Sequence, residues 1–162
     1  EVGHIVLSYH GLPIRHLKKT DPTGQWCQKA SNCCHTPCEL KPNPHAVCYR
    51  HQVYETTRLL VEKLGLKETD YTVCFQSRLG RDEWLAPSFD DTIIDLAKRG
   101  IKDIVVACPA FVADCLETIE EIGMQGADLF SAHGGESLTL IPCLNDDPHW
   151  VQDFLEILHP HL

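Results

Sequence analysis

Three carboxylates recur at three- and four-residue spacing between Pro109 and Ile122: Asp114, Glu117 and Glu121. On a helix that spacing stacks them along one face. Asp114 stands where an N-cap belongs, with Glu117 three residues on, so a reciprocal cap is expected. Leu116 and Ile119 fall on another face and are expected to pack. Acids complement the positive end of a helix, which accounts for Asp114 and Glu117 without any function. It does not account for Glu120 and Glu121. The stripe reads either as a solvated acidic face or as a site for a cation or a proton.

Two further groups have chemical potential. His10 follows the apolar run His4–Ser8 and precedes Gly11-Leu12-Pro13, so it belongs at the carboxyl end of a strand. In open parallel sheets that edge is where ligands bind. Five of the nine cysteines (Cys27, Cys33, Cys34, Cys38, Cys48) fall in one polar, proline-rich segment. Four thiolates can enclose zinc or an iron–sulfur cluster, although the spacing is neither a zinc-ribbon pair nor the ferredoxin run. Free or disulfide-paired cysteines are the alternative. The other four (Cys74, Cys108, Cys115, Cys143) lie in apolar runs, as small buried hydrophobes do. An odd, clustered set beside a regular α/β pattern argues for a reducing compartment rather than a secreted disulfide framework.

These residues need a frame to hold them. Tyr71–Gln76, Asp103–Cys108 and Ser137–Ile141 join His4–Ser8 as four short apolar runs, and the helical segments Tyr49–Leu64, Ser88–Lys98, Gln125–Ala132 and His149–Leu158 alternate with them. The expected fold is α/β, a four-stranded parallel sheet with helices on both faces. Residues 14–47 read as a loop of over thirty residues that something must pin. In the last helix Trp150, Phe154, Leu155 and Leu158 are expected to pack on the core. His10, Ser77-Arg78 with Trp84, and the acidic stripe all follow strands, so they gather on one edge.

The 162 residues, 43% hydrophobic, are enough for one domain, and the formal charge of −9 argues against a nucleic-acid partner. No apolar run approaches the roughly 20 residues of a membrane span. The abrupt start on a strand leads us to expect that this is one piece of a longer chain.

Several motifs together resemble the carboxyl-terminal half of ferrochelatase. They are Ser8-Tyr9-His10-Gly11-Leu12-Pro13, Asp21-Pro22, Phe75-Gln76-Ser77-Arg78-Leu79-Gly80 with Trp84-Leu85-Ala86-Pro87, the run Pro109–Glu121, and Ile141-Pro142-Cys143-Leu144-Asn145. The resemblance covers essentially the whole chain. It implies a Rossmann-like chelatase half-domain over 1–162 with a cysteine-rich loop at about 20–48, the amino-terminal half being absent. It implies insertion of Fe(II) into protoporphyrin IX or coproporphyrin III, in the bacterial cytoplasm. His10 and Glu117 would be catalytic, with Asp114 and Glu121 completing an iron or proton path. Trp84, Tyr9, Leu12, Ser77 and Arg78 would contact the porphyrin. Cys27, Cys33, Cys34 and Cys48, with Cys38 as the alternative fourth, would hold a 2Fe–2S cluster. Cys115 and Gln125 depart from the pattern, standing where relatives have a histidine and an acid. A chelatase for another tetrapyrrole or metal, and a cluster-bearing redox sensor, are the alternatives. A homodimer or a peripheral membrane contact is compatible with the family.

Overall fold

The computed structural model describes residues 3–29 and 32–162. Four strands, β1 (His4–His10), β2 (Tyr71–Gln76), β3 (Asp103–Ala107) and β4 (Ser137–Leu140), form one all-parallel sheet in the order β2-β1-β3-β4. The chain leaves β1 for one neighbour and later returns to its other side. The switch point therefore lies between β1 and β3, which in such sheets is where ligands dock. Register sets His10 opposite Gln76 at the carboxyl edge.

Both faces are covered, as unbroken apolar runs require. Val6, Cys74, Ile104 and Val106 pack against Phe89, Ile93 and Leu96 of α3 (Phe89–Lys98), Ile122, and Phe130 of α4 (Ala127–Ala132). On the other face Leu7, Tyr9 and Phe75 meet Ile14 and Leu17 of α1 (Ile14–Thr20) and Val53 of α2 (Tyr49–Leu64). The alternation along β1 decides the site: Ser8 and His10 share one face, Leu7 and Tyr9 the other.

Four expectations are corrected. The segment after Pro13 is not all loop, because α1 opens it and buries Ile14 and Leu17, an i, i+3 pair. The helix after β3 does not start at Asp114. It is a π-helix over Glu117–Gly126, continuous with α4. Leu116 and Ile119 do not pack but stand 73% and 52% exposed. The last helix, α5 (Pro148–Leu158), buries no residue, and Phe154 and Leu155 face out. Asp147 caps it through the amides of His149 and Trp150, so its start is well specified even though, among the described residues, its apolar side is left exposed.

Candidate active site

His10 is half-buried at the end of β1. Its Nδ1 lies 2.6 Å from the Gly11 carbonyl oxygen, and Tyr49 Oη donates to the His10 carbonyl at 2.8 Å. A carbonyl only accepts, so Nδ1 carries the proton and Nε2 of the neutral ring is left as a proton acceptor. Phe111, on the loop after β3, flanks the ring at 6.0 Å between centroids. Gly11 has no room for a side chain: a Cβ there would stand 2.7 Å from the Gln76 carbonyl oxygen and 3.2 Å from the Trp84 ring. Trp84 is held by a bridge to Pro13, and its indole N–H is buried without a partner among the described residues.

The three carboxylates of the stripe have different environments. Asp114 accepts from Asn145 Nδ2 (2.8 Å), Thr118 Oγ1 (3.0 Å) and the Cys143 amide (3.2 Å), and its own amide donates back to Asn145 Oδ1. The Asn145 hydrogen bond leads in holding its carboxyl below the usual range. Glu121 takes the Ser77 amide (2.6 Å) on one oxygen and the Ser77 hydroxyl (3.0 Å) on the other. Ser77 reaches it from a left-handed conformation, φ 65°, a strained choice for a residue with a side chain. These two acids tie strand exits together. Glu117 is committed to no strand exit: a hydrogen bond from Cys115 and its own amide lower its carboxyl pKa, as does His10 whenever its ring is charged, so it is ionised near neutrality.

Its backbone is committed. Gln76, 2% exposed, donates from Nε2 to the Glu117 carbonyl at 2.6 Å while its Oε1 accepts from Ser8 Oγ (2.8 Å) and Cys108 Sγ (3.4 Å). One buried amide thus joins β1, β2 and the exit of β3 to the first residue of the π-helix. Beside it a groove of about 650 Å³ runs between Arg78, Leu79, Leu116, Glu117, Glu120 and Leu129. Such π segments are uncommon and occur frequently at functional sites.

The cysteine segment builds a second centre on the opposite face of the sheet. Asp21 organises it, accepting from the amides of Thr23, Trp26 and Cys27 and from the Thr23 hydroxyl. Burial opposes its ionisation, but those hydrogen bonds hold its carboxyl well below the usual range. Cys27, Cys33, Cys34 and Cys48 line one cavity; Cys38 is not among its walls. Cys48 is the N-cap residue of α2, and Cys34 hydrogen-bonds to it. That bond, aided by the His51 and Arg50 amides, pulls the Cys48 thiol down to about 6 against the cost of burial, while Cys34 is pushed up and keeps the shared proton. Among the described residues no three His, Cys, Asp or Glu side chains stand in preset metal-binding geometry.

The profile of the ferrochelatase family matches residues 1–162. The chain belongs to the ferrochelatase family. Among curated relatives, a ferrochelatase of Pseudomonas fluorescens (strain Pf0-1) is 50% identical over 152 residues, 94% of this chain and 44% of that protein. The ferrochelatase of Ectopseudomonas mendocina (strain ymp) is 50% identical over 148 residues, 91% of this chain and 42% of that protein. The chain therefore spans less than half the length of these ferrochelatases.

Of the residues singled out from sequence, this ferrochelatase-family fold brings His10, Ser77, Trp84, Asp114, Glu117 and Glu121 to the carboxyl edge of the sheet. Arg78 is exposed there and Leu12 is half-buried. Tyr9 is corrected: it is 2% exposed on the α2 face, with its hydroxyl bonded to Thr57 at 2.9 Å, because strand alternation turns it away from His10. Cys74 and Cys108 are buried as expected, and burial pushes both thiols up to about 12; Cys115 and Cys143 are only half-buried. Sequence reasoning missed the positioning roles of Gln76 and Asn145. The signal was available in part, as a buried-strand pattern ending in an amide and a turn ending in Asn.

Proposed function

We propose that the chain is the carboxyl-terminal half of a bacterial cytoplasmic enzyme that inserts Fe(II) into a porphyrin, protoporphyrin IX or coproporphyrin III, in haem biosynthesis. The remaining length of its relatives would supply the other wall of the porphyrin cleft. The observation that carries this reading is the pairing, at the switch point of the sheet, of a neutral imidazole with a free Nε2 and one carboxylate committed to no strand exit. Insertion exchanges two pyrrole N–H protons for one divalent cation. His10 Nε2 accepts one proton, the second passes to solvent at the open edge, and Glu117 offers a single anionic ligand that neutralises the arriving cation. One carboxylate holds iron weakly enough to release it, whereas a closed four-ligand site would keep it. Exposed Leu79 and Leu116, which line the groove with Glu117, suit a flat apolar ligand. Asp114 and Glu121 act by fixing the walls of this site, and any role in passing iron or protons inward is secondary to that. No described helix is long and apolar enough to cross a membrane, which is compatible with a peripheral contact or none.

The cysteine cavity favours a resident 2Fe–2S cluster. The donor set fits: four sulfurs on one cavity, one of them already disposed to be a thiolate, with a cation beside them. Cys27, Cys33, Cys34 and Cys48 would hold the cluster, and Cys38 would not. When bound, it would supply one-electron chemistry and pin the loop. A chain serving only as such a redox-sensing module is the second reading. The test is metal insertion by the full-length polypeptide with His10→Ala or Glu117→Ala. Activity should be lost from both while thermal unfolding is unchanged; retained activity in both would overturn the chelatase reading and leave the module.

A further inference from the structure

Arg50 is an anomaly of position. It lies in the first turn of α2, where the helix macrodipole disfavours a cation, and it is half-buried. Among the described residues it has no carboxylate partner. Both of its hydrogen bonds go to sulfur: Nε donates to Cys34 Sγ at 3.0 Å and Nη2 to Cys33 Sγ at 3.2 Å. A guanidinium fork that engages two adjacent cysteines is positioned for an anionic centre built on them. The backbone around it is clamped too. His45 Nε2 and His51 Nδ1 hydrogen-bond the carbonyls of Cys33 and Cys34 at 2.8 and 2.7 Å, and the two imidazoles stack at 4.0 Å. These bonds fix the main chain from which the two sulfurs project toward the fork.

We propose that Arg50 is a positioning residue that raises the reduction potential of an iron–sulfur cluster held by Cys27, Cys33, Cys34 and Cys48. The inference rests on the cluster reading above. Reduction adds one electron to the ferric pair and makes an already anionic centre more negative. Hydrogen bonds and positive charge at the ligand sulfurs stabilise that added charge, and cluster potentials respond to both. Arg50 remains cationic throughout, so it moves no proton in the step.

The test uses the full-length polypeptide that carries this chain, reconstituted anaerobically with ferrous iron and sulfide, as wild type, Arg50→Gln and Arg50→Lys. Iron and acid-labile sulfide are counted first, and a dithionite titration follows by visible absorbance. At a fixed poise the reduced-to-oxidised ratio of the Gln variant should fall about tenfold, which for a one-electron couple is about 59 mV. Lys, which keeps the charge but not the fork, should fall between. Equal iron and sulfide with an unmoved potential in Arg50→Gln would overturn the proposal and leave the cluster standing. If the Gln variant does not load, the Lys variant decides, and a wild-type potential there is equally fatal. Wild type without iron and sulfide would overturn both the cluster and this inference.

Discussion

Gln76→Leu removes the amide that joins the sheet to the π-helix. Three groups lose their partner: the Ser8 hydroxyl and the Cys108 thiol, both buried, and the partly buried Glu117 carbonyl. A buried polar group left unmade costs about 1–3 kcal/mol. The thiol is a weak donor and the carbonyl can recruit water, so the loss is about 3 kcal/mol net of the apolar gain from leucine. That is a large share of a typical stability of about 5–15 kcal/mol. With a urea slope of about 1–3 kcal/mol/M, the unfolding midpoint should fall by about 1.5 M. Ser8→Ala, which removes one of these bonds, should cost about 1 kcal/mol. Amide hydrogen exchange should accelerate at the opening of the π-helix, residues 117–121, before it does in β1. The reasoning fails if the Gln76→Leu midpoint stays within about 0.3 M of wild type. It fails equally if Ser8→Ala costs as much as Gln76→Leu.

Three further outcomes follow from the geometry. Gly11→Ala forces a Cβ against backbone at 2.7 Å, so it should destabilise by about 1–3 kcal/mol and shift Trp84 fluorescence; an unchanged melting curve would show that the turn yields. Asp21 and Asp114 both titrate below their unfolded value of about 3.9, so their stabilisation is complete above that pH and is lost as pH falls through the lower folded values. Urea midpoints should be level from about pH 7 to about pH 5 and drop below about pH 4, with a smaller drop in Asp21→Asn. In iodoacetamide labelling of the metal-free protein, mapped by mass spectrometry, Cys48 should react before Cys74 and Cys108, whose thiols burial pushes up to about 12. Equal rates would contradict the thiolate placed at Cys48.

The sheet was legible because four short apolar runs alternate with helical patterns, and a two-sided burial requirement leaves few other arrangements. His10 and Glu117 could be placed on one edge for the same reason. What escaped was set by partners distant in sequence. Ser77 and Glu121 are 44 residues apart and Asp114 and Asn145 are 31 apart, so no local pattern marks those carboxylates as clamps. The π-helix was read as an α-helix capped two residues early, at Asp114 rather than Leu116, because both place acids at short intervals. A run of seven residues with only two core positions hid α1 among prolines. In α5 the apolar residues were recognised, but periodicity tells which side is greasy and not whether anything lies against it.

Cys48, Tyr49 and Arg50 are consecutive residues opening α2. Cys48 lines the sulfur cavity, Arg50 hydrogen-bonds two of its sulfurs, and Tyr49, its phenol kept protonated by burial, donates to the carbonyl of His10 at 2.8 Å. The two centres lie on opposite sides of the sheet, yet a single turn of backbone touches both. A displacement of that turn would reach the main chain of His10 through one phenol hydroxyl, so whatever fixes the sulfur cavity also fixes the end of the first strand.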